Sequence, residues 1–103
     1  MSDNRRTATR HAVSIPGKIK IEGPPEACTV LNLSLGGALV SASRRLAMGV
    51  RVHITFSVPT VEQPIDVGAT VRWTDGAGVG IQFDGLRALD VWALNEYFKQ
   101  LQP

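Results

Sequence analysis

The sequence predicts an all-β fold, a six-stranded antiparallel β-barrel with a C-terminal α-helix. Three observations predict it. Six short runs carry apolar residues at every second position, the period of a half-buried strand, and Gly- or Pro-rich turns separate them. The last sixteen or so residues change to the helical period. The chain has 103 residues, 44% hydrophobic and 19% charged, which suits one globular domain with its own core.

The elements follow in order. Val13, Ile15, Ile19 and Ile21 alternate with Ser14, Lys18, Lys20 and Glu22 in a first strand, and Pro16-Gly17 reads as a bulge. Gly23-Pro24-Pro25-Glu26 is a turn. Residues 27–34 alternate next, with Leu31 and Leu33 assigned to the core and Cys28 and Val30 to the outer phase. After Gly36-Gly37 a third strand spans 37–42. Val50, Val52, Ile54 and Phe56 share one face of a fourth, opposite Arg51, His53 and Thr55. Pro59 to Pro64 turns the chain into a fifth, where Ile65, Val67, Ala69, Val71 and Trp73 alternate with Asp66, Gly68, Thr70, Arg72 and Thr74. Asp75-Gly76 is a hairpin signal, and Val79, Ile81 and Phe83 mark the returning strand. Closing such strands into a barrel removes their sticky edges. Val91, Leu94, Phe98 and Leu101 then define an amphipathic helix over 86–101, widened by Leu86, Leu89, Ala93 and Tyr97.

The domain is therefore read as 13–103, preceded by an arm over 1–12 that lacks apolar periodicity and reads as mobile. Charge is concentrated there. Residues 1–20 hold Arg5, Arg6, Arg10, Lys18 and Lys20 against Asp3 alone, whereas the remainder is mildly acidic. A local positive field suits a confined anionic ligand better than a long polyanion. The single Cys28 excludes an intrachain disulfide, the polar start lacks a secretory pattern, and no apolar run approaches the roughly 20 residues of a membrane span. A cytoplasmic protein without membrane contact is the expectation. No nucleophile–base pair, facing carboxylate pair or metal-ligand cluster is legible, so neither an enzyme nor a metal site is expected.

Two segments carry more than scaffold. Arg5-Arg6-Thr7-Ala8-Thr9-Arg10 places three guanidiniums within six residues, and Asn32-Leu33-Ser34-Leu35-Gly36-Gly37 follows. With Leu33 in the core, Asn32 and Ser34 fall on the outer surface of the barrel, and Gly36 and Gly37 let the backbone turn or approach a ligand. The arginine fork suits a phosphate or the Hoogsteen edge of guanine. The Asn32 oxygen can accept from a guanine N–H, and Ser34 can donate or accept. Each segment alone has a plain explanation: a basic run is commonly a solvated tail, and Asn-x-Ser commonly a turn with local hydrogen bonds. Together they point to an anionic, purine-bearing ligand.

Arg6-x-x-x-Arg10, followed by Asn32-x-Ser34-x-x-Gly37, resembles the paired signature of PilZ domains, the bacterial receptors of cyclic di-GMP, and the resemblance extends through Gly80-Ile81-Gln82-Phe83 to the helix. It implies a PilZ-like split barrel that binds cyclic di-GMP and needs no cofactor. Arg6 and Arg10 would grip phosphates and guanines, Asn32 and Ser34 would meet a guanine, and Gly37 would leave room for it. Arg5, beside the first motif, goes in similar proteins with two stacked ligand molecules. Trp73 shares phase with the core residues Val71 and Ala69, yet resembles a rim ring that contacts ligand in some members. The resemblance also implies a protein partner, or a second subunit in a homodimer, reading the ligand-induced change. Two alternatives stand beside it. One is an interaction module of this fold without nucleotide, as in the pilus-assembly branch, whose members typically lack the arginines that this chain keeps. The other is a single-stranded nucleic-acid-binding barrel, which 6% aromatic content and the absence of an exposed stacking platform disfavour.

Overall fold

A computed structural model describes residues 10–42, 46–74, 76 and 78–101. Six strands, β1 (His11–Lys20), β2 (Glu26–Leu33), β3 (Gly37–Ala42), β4 (Arg51–Phe56), β5 (Ile65–Thr74) and β6 (Val79–Phe83), precede one helix, α1 (Ala88–Leu101). The strands close into an antiparallel barrel in the order β1-β2-β3-β6-β5-β4, with β4 returning to β1. The predicted architecture is the observed one. Arg5, Arg6 and Asp75 lie outside the described residues, as does most of the arm read over 1–12; His11 and Ala12 already belong to β1.

Alternating side chains from every strand fill the barrel. Ile19, Val30, Leu33, Val40, Ile54, Ile65 and Val71 are essentially inaccessible to solvent. The helix is laid over one end of this core. Ala93, Leu94 and Phe98 are buried beneath it, the Phe98 ring stacks on His11 at 4.2 Å between centroids, and Thr60 Oγ1, in the β4–β5 loop, donates to the Ala93 carbonyl at 2.6 Å. The start of β1 is thus pinned to α1 immediately after Arg10.

α1 begins at Ala88, two residues later than the periodicity predicts. Asp90 sets that start. Its carboxylate, 3% exposed, accepts from the Arg87 backbone N–H at 3.2 Å and from Nε and Nη2 of the Arg87 side chain, which answers donors left open at a helix start. The hydrogen bond and the charge of Asp90 raise the Arg87 pKa above its ordinary value. Leu89 and Leu101, predicted for the apolar face, are exposed: Leu89 lies about 100° round the helix from the buried Asp90, and Leu101 is the last residue of α1.

Three bulges account for the other departures from strict alternation. Pairing shifts register between Ala12 and Ile15 in β1, between Val30 and Asn32 in β2, and between Val71 and Trp73 in β5. Pro16-Gly17 is not a bulge; both residues continue the ladder opposite Thr29 and Cys28. The extra residue in β2 inverts the phase upstream of it, because a bulge sets two residues against one. Cys28 and Val30 therefore face the core, contrary to the sequence reading, while Leu33 keeps its inward place and Leu31 is half-buried. Burial raises the Cys28 thiol pKa, which disfavours the nucleophilic thiolate form.

Candidate functional site

Register places Asn32 of the second motif and Trp73 in one row across the outer wall. Ala12 of β1 pairs with Asn32 of β2, Asn32 with Leu39 of β3, Leu39 with Gly80 of β6, and Gly80 with Trp73 of β5. Leu39 lies between the buried Ala38 and Val40, and Gly80 between the buried Val79 and Ile81, so alternation turns both outward. Asn32, next to the inward Leu33, is half-buried on the same side.

The bulge in β5 decides where Trp73 goes. Strict alternation would send it into the core behind Val71; the extra residue, Arg72, reverses the phase and lays the ring on the outer wall over Gly80. There the exposed Arg10 guanidinium stands 5.5 Å from the ring centroid, within the roughly 6 Å of a cation–π contact. The first motif's last arginine and the second motif's asparagine thus share one face of the barrel. Neither Leu39 nor Gly80 was singled out from the sequence. A glycine three residues before Phe83, in the strand paired with the one that carries Trp73, was the available signal.

Asn32 is held by the strand beside it. Its Oδ1 accepts the Leu39 N–H at 3.2 Å, next to the β2 bulge. Only the carbonyl end can face an N–H donor, which fixes the amide's orientation. One lone pair of Oδ1 and both amino hydrogens then stay available to a ligand, with no other partner among the described residues.

Ser34 differs from its sequence-based placement. It is 6% exposed rather than on the outer surface, and its hydroxyl works inside the turn, accepting the N–H groups of Gly36 and Gly37 and donating to the Gly37 carbonyl, each at 3.2 Å. That uses one donor and two acceptors, the whole capacity of a hydroxyl. The Ser34 backbone N–H joins at 2.9 Å to the same carbonyl, and the Gly36 carbonyl accepts from Phe83 N–H at 2.9 Å, fastening the turn to β6. Ser34 therefore serves the shape of the turn, with no hydroxyl capacity left for a further hydrogen bond. Ser34→Ala is expected to lower stability by about 1–3 kcal/mol, read as a shifted denaturant midpoint, because buried N–H groups lose their acceptor.

The two motif glycines also separate. A side chain at Gly36 would meet only Ser34 Oγ at 4.0 Å, so its face of the turn is open. At Gly37 a Cβ would strike the Ile81 carbonyl group of β6, with Ile81 C at 3.1 Å and Gln82 Cα at 3.2 Å. The barrel itself, more than any ligand, demands glycine there.

A groove of about 780 Å³ lies on the far side of the barrel, between β1, β4 and β5, lined by Lys18, Lys20, Arg51, His53 and Asp66 among others. Two of its basic side chains are answered within the chain: Arg51 Nη2 meets Asp84 at 2.9 Å, and His53 pairs with Asp66, which also accepts from Thr55. No motif residue lines it.

The family model of the PilZ domain matches residues 4–100. No curated protein matches the sequence. Among solved structures, the Bacillus subtilis inhibitor of motility MotI/DgrA superposes with a TM-score of 0.72 at 18% identity, over 96% of this chain and 54% of that one; this chain thus spans about half of its length. The PilZ domain of CeSA from a cellulose-synthesizing bacterium superposes with a TM-score of 0.69 at 15% identity, over 92% of this chain and 100% of that one. At such identities both show a shared fold.

Proposed function

This chain belongs to the PilZ domain family, whose members are generally cyclic di-GMP receptors or adaptors, and from that premise we propose that it is a cyclic di-GMP receptor that clamps its ligand between the N-terminal Arg6-x-x-x-Arg10 segment and the outer wall bearing Asn32. The observation that supports this most is the convergence of Arg10, Trp73 and Asn32 on one face, from segments far apart in sequence. The chemistry suits the ligand. A guanidinium can fork onto a phosphate or onto guanine O6 and N7, the Asn32 amide can donate and accept along a base edge, and the indole offers a π-face. Gly36 leaves the approach to the turn open, and Arg5 beside the first motif favours two stacked ligand molecules. Members of this family are binding and adaptor modules rather than enzymes, so the output is a cytoplasmic protein partner, or a second copy of the chain, that reads the altered surface and through it motility or biofilm formation.

Titration calorimetry tests the reading. Cyclic di-GMP is expected to bind with two ligands per chain, with amide shifts at Arg10, Asn32, Leu39 and Trp73. Silence at high micromolar ligand would remove it. That silence would favour the second reading, a protein-interaction module without nucleotide, which one observation supports: Leu89 and Trp92 stand 47% and 53% exposed on α1.

A further inference from the structure

We propose that Gly80 is a positioning residue of this site: its missing side chain seats the Trp73 ring flat on the barrel wall, and the seated ring holds Arg10 over the wall before any ligand arrives. The ligand-binding consequence rests on the cyclic di-GMP reading above; the positioning itself does not.

Three layers carry the inference. The lowest is the Gly80 backbone, whose neighbours Val79 and Ile81 are buried, so a side chain at 80 would point outward. The middle layer is the indole, which fills the volume such a side chain would take: a Cβ at Gly80 would lie 2.6 Å from Trp73 Cζ2 and nearer still to the ring-fusion carbons. That is far inside van der Waals contact and involves the rigid body of the ring, so the ring would have to leave. The upper layer is the Arg10 guanidinium. With one ring face against Gly80, the other is turned outward, and that is the face Arg10 can use. No other aromatic ring lies under Arg10 among the described residues. His11, pinned on Phe98, fixes the backbone just after Arg10, and the ring fixes its side chain. An arginine already ordered loses less freedom when it grips a ligand, and a group so prepared raises affinity.

The test is a cycle of Gly80→Ala and Trp73→Ala, single and combined. In ligand-free wild type the Arg10 side-chain protons should show upfield ring-current shifts in NMR spectra; both single variants should abolish them. Cyclic di-GMP affinity should fall about tenfold in Gly80→Ala, the weight of one displaced contact, and Gly80→Ala should add nothing in the Trp73→Ala background. Should Gly80→Ala alone fail to fold, the double variant should fold, since its clash partner is gone. The proposal is overturned if the ring-current shifts survive Gly80→Ala, if Gly80→Ala costs the same affinity with and without Trp73, or if the double variant also fails to fold. Absence of cyclic di-GMP binding in wild type would instead strike the ligand reading, leaving the ring-current comparison to decide the role of Gly80.

Discussion

Replacing Arg10 by alanine is expected to weaken cyclic di-GMP binding by about 10- to 150-fold, or roughly 1.5–3 kcal/mol, the usual worth of a hydrogen-bonding charged donor. Arg10 is the motif arginine whose place is described: exposed, over Trp73, on the wall that carries Asn32. Alanine removes the guanidinium and with it the cation–π contact that keeps the side chain near the wall. Lysine separates these effects. It keeps the charge but loses the planar fork, so Arg10→Lys should recover only part of the affinity. Arg6→Ala, four residues earlier in the same motif, should cost a similar amount. Calorimetry on the folded variants checks all three, and unchanged affinity in Arg6→Ala and Arg10→Ala together would dismiss the segment as a clamp.

Gly37→Ala should produce the largest loss of stability. A Cβ there meets the Ile81 carbonyl group, backbone that cannot swing aside as a flexible side chain would. Relief requires β3 to move away from β6, and Gly37 pairs with Gln82 at the end of that ladder, beside the Ser34 turn. The strained contact and the weakened turn together are expected to cost about 3 kcal/mol or more, the range of severe core and backbone lesions. For a domain of this size that corresponds to a melting temperature lower by at least about 12 °C. A thermal melt within a few degrees of wild type would show that the barrel has more slack at β3–β6 than its geometry implies. Because the same glycine belongs to the binding motif, loss of ligand affinity in Gly37→Ala is meaningful only in protein shown to be folded.

The sequence alone determined the number of strands, their succession along the chain and their limits to within about two residues. Alternation in residues 50–56 and 65–73, and the turn chemistry between runs, are local properties that each segment carries wherever it folds. It determined equally the two motif segments, since residue type and spacing are visible without coordinates. Which way side chains point was legible only between bulges. Alternation put Trp73 with the core and Cys28 and Val30 outside; one extra residue in β5 and one in β2 reversed each placement. A bulge belongs to a pair of strands, because it exists only where two residues face one, and no single run of sequence displays its partner. Closure of the barrel likewise decided that Ser34 would turn inward to build a turn, that Gly37 would be needed by Ile81, and that Gly80 would lie beneath Trp73. These are contacts between strands brought together by hydrogen-bond register, and register is fixed when the whole sheet closes, not segment by segment.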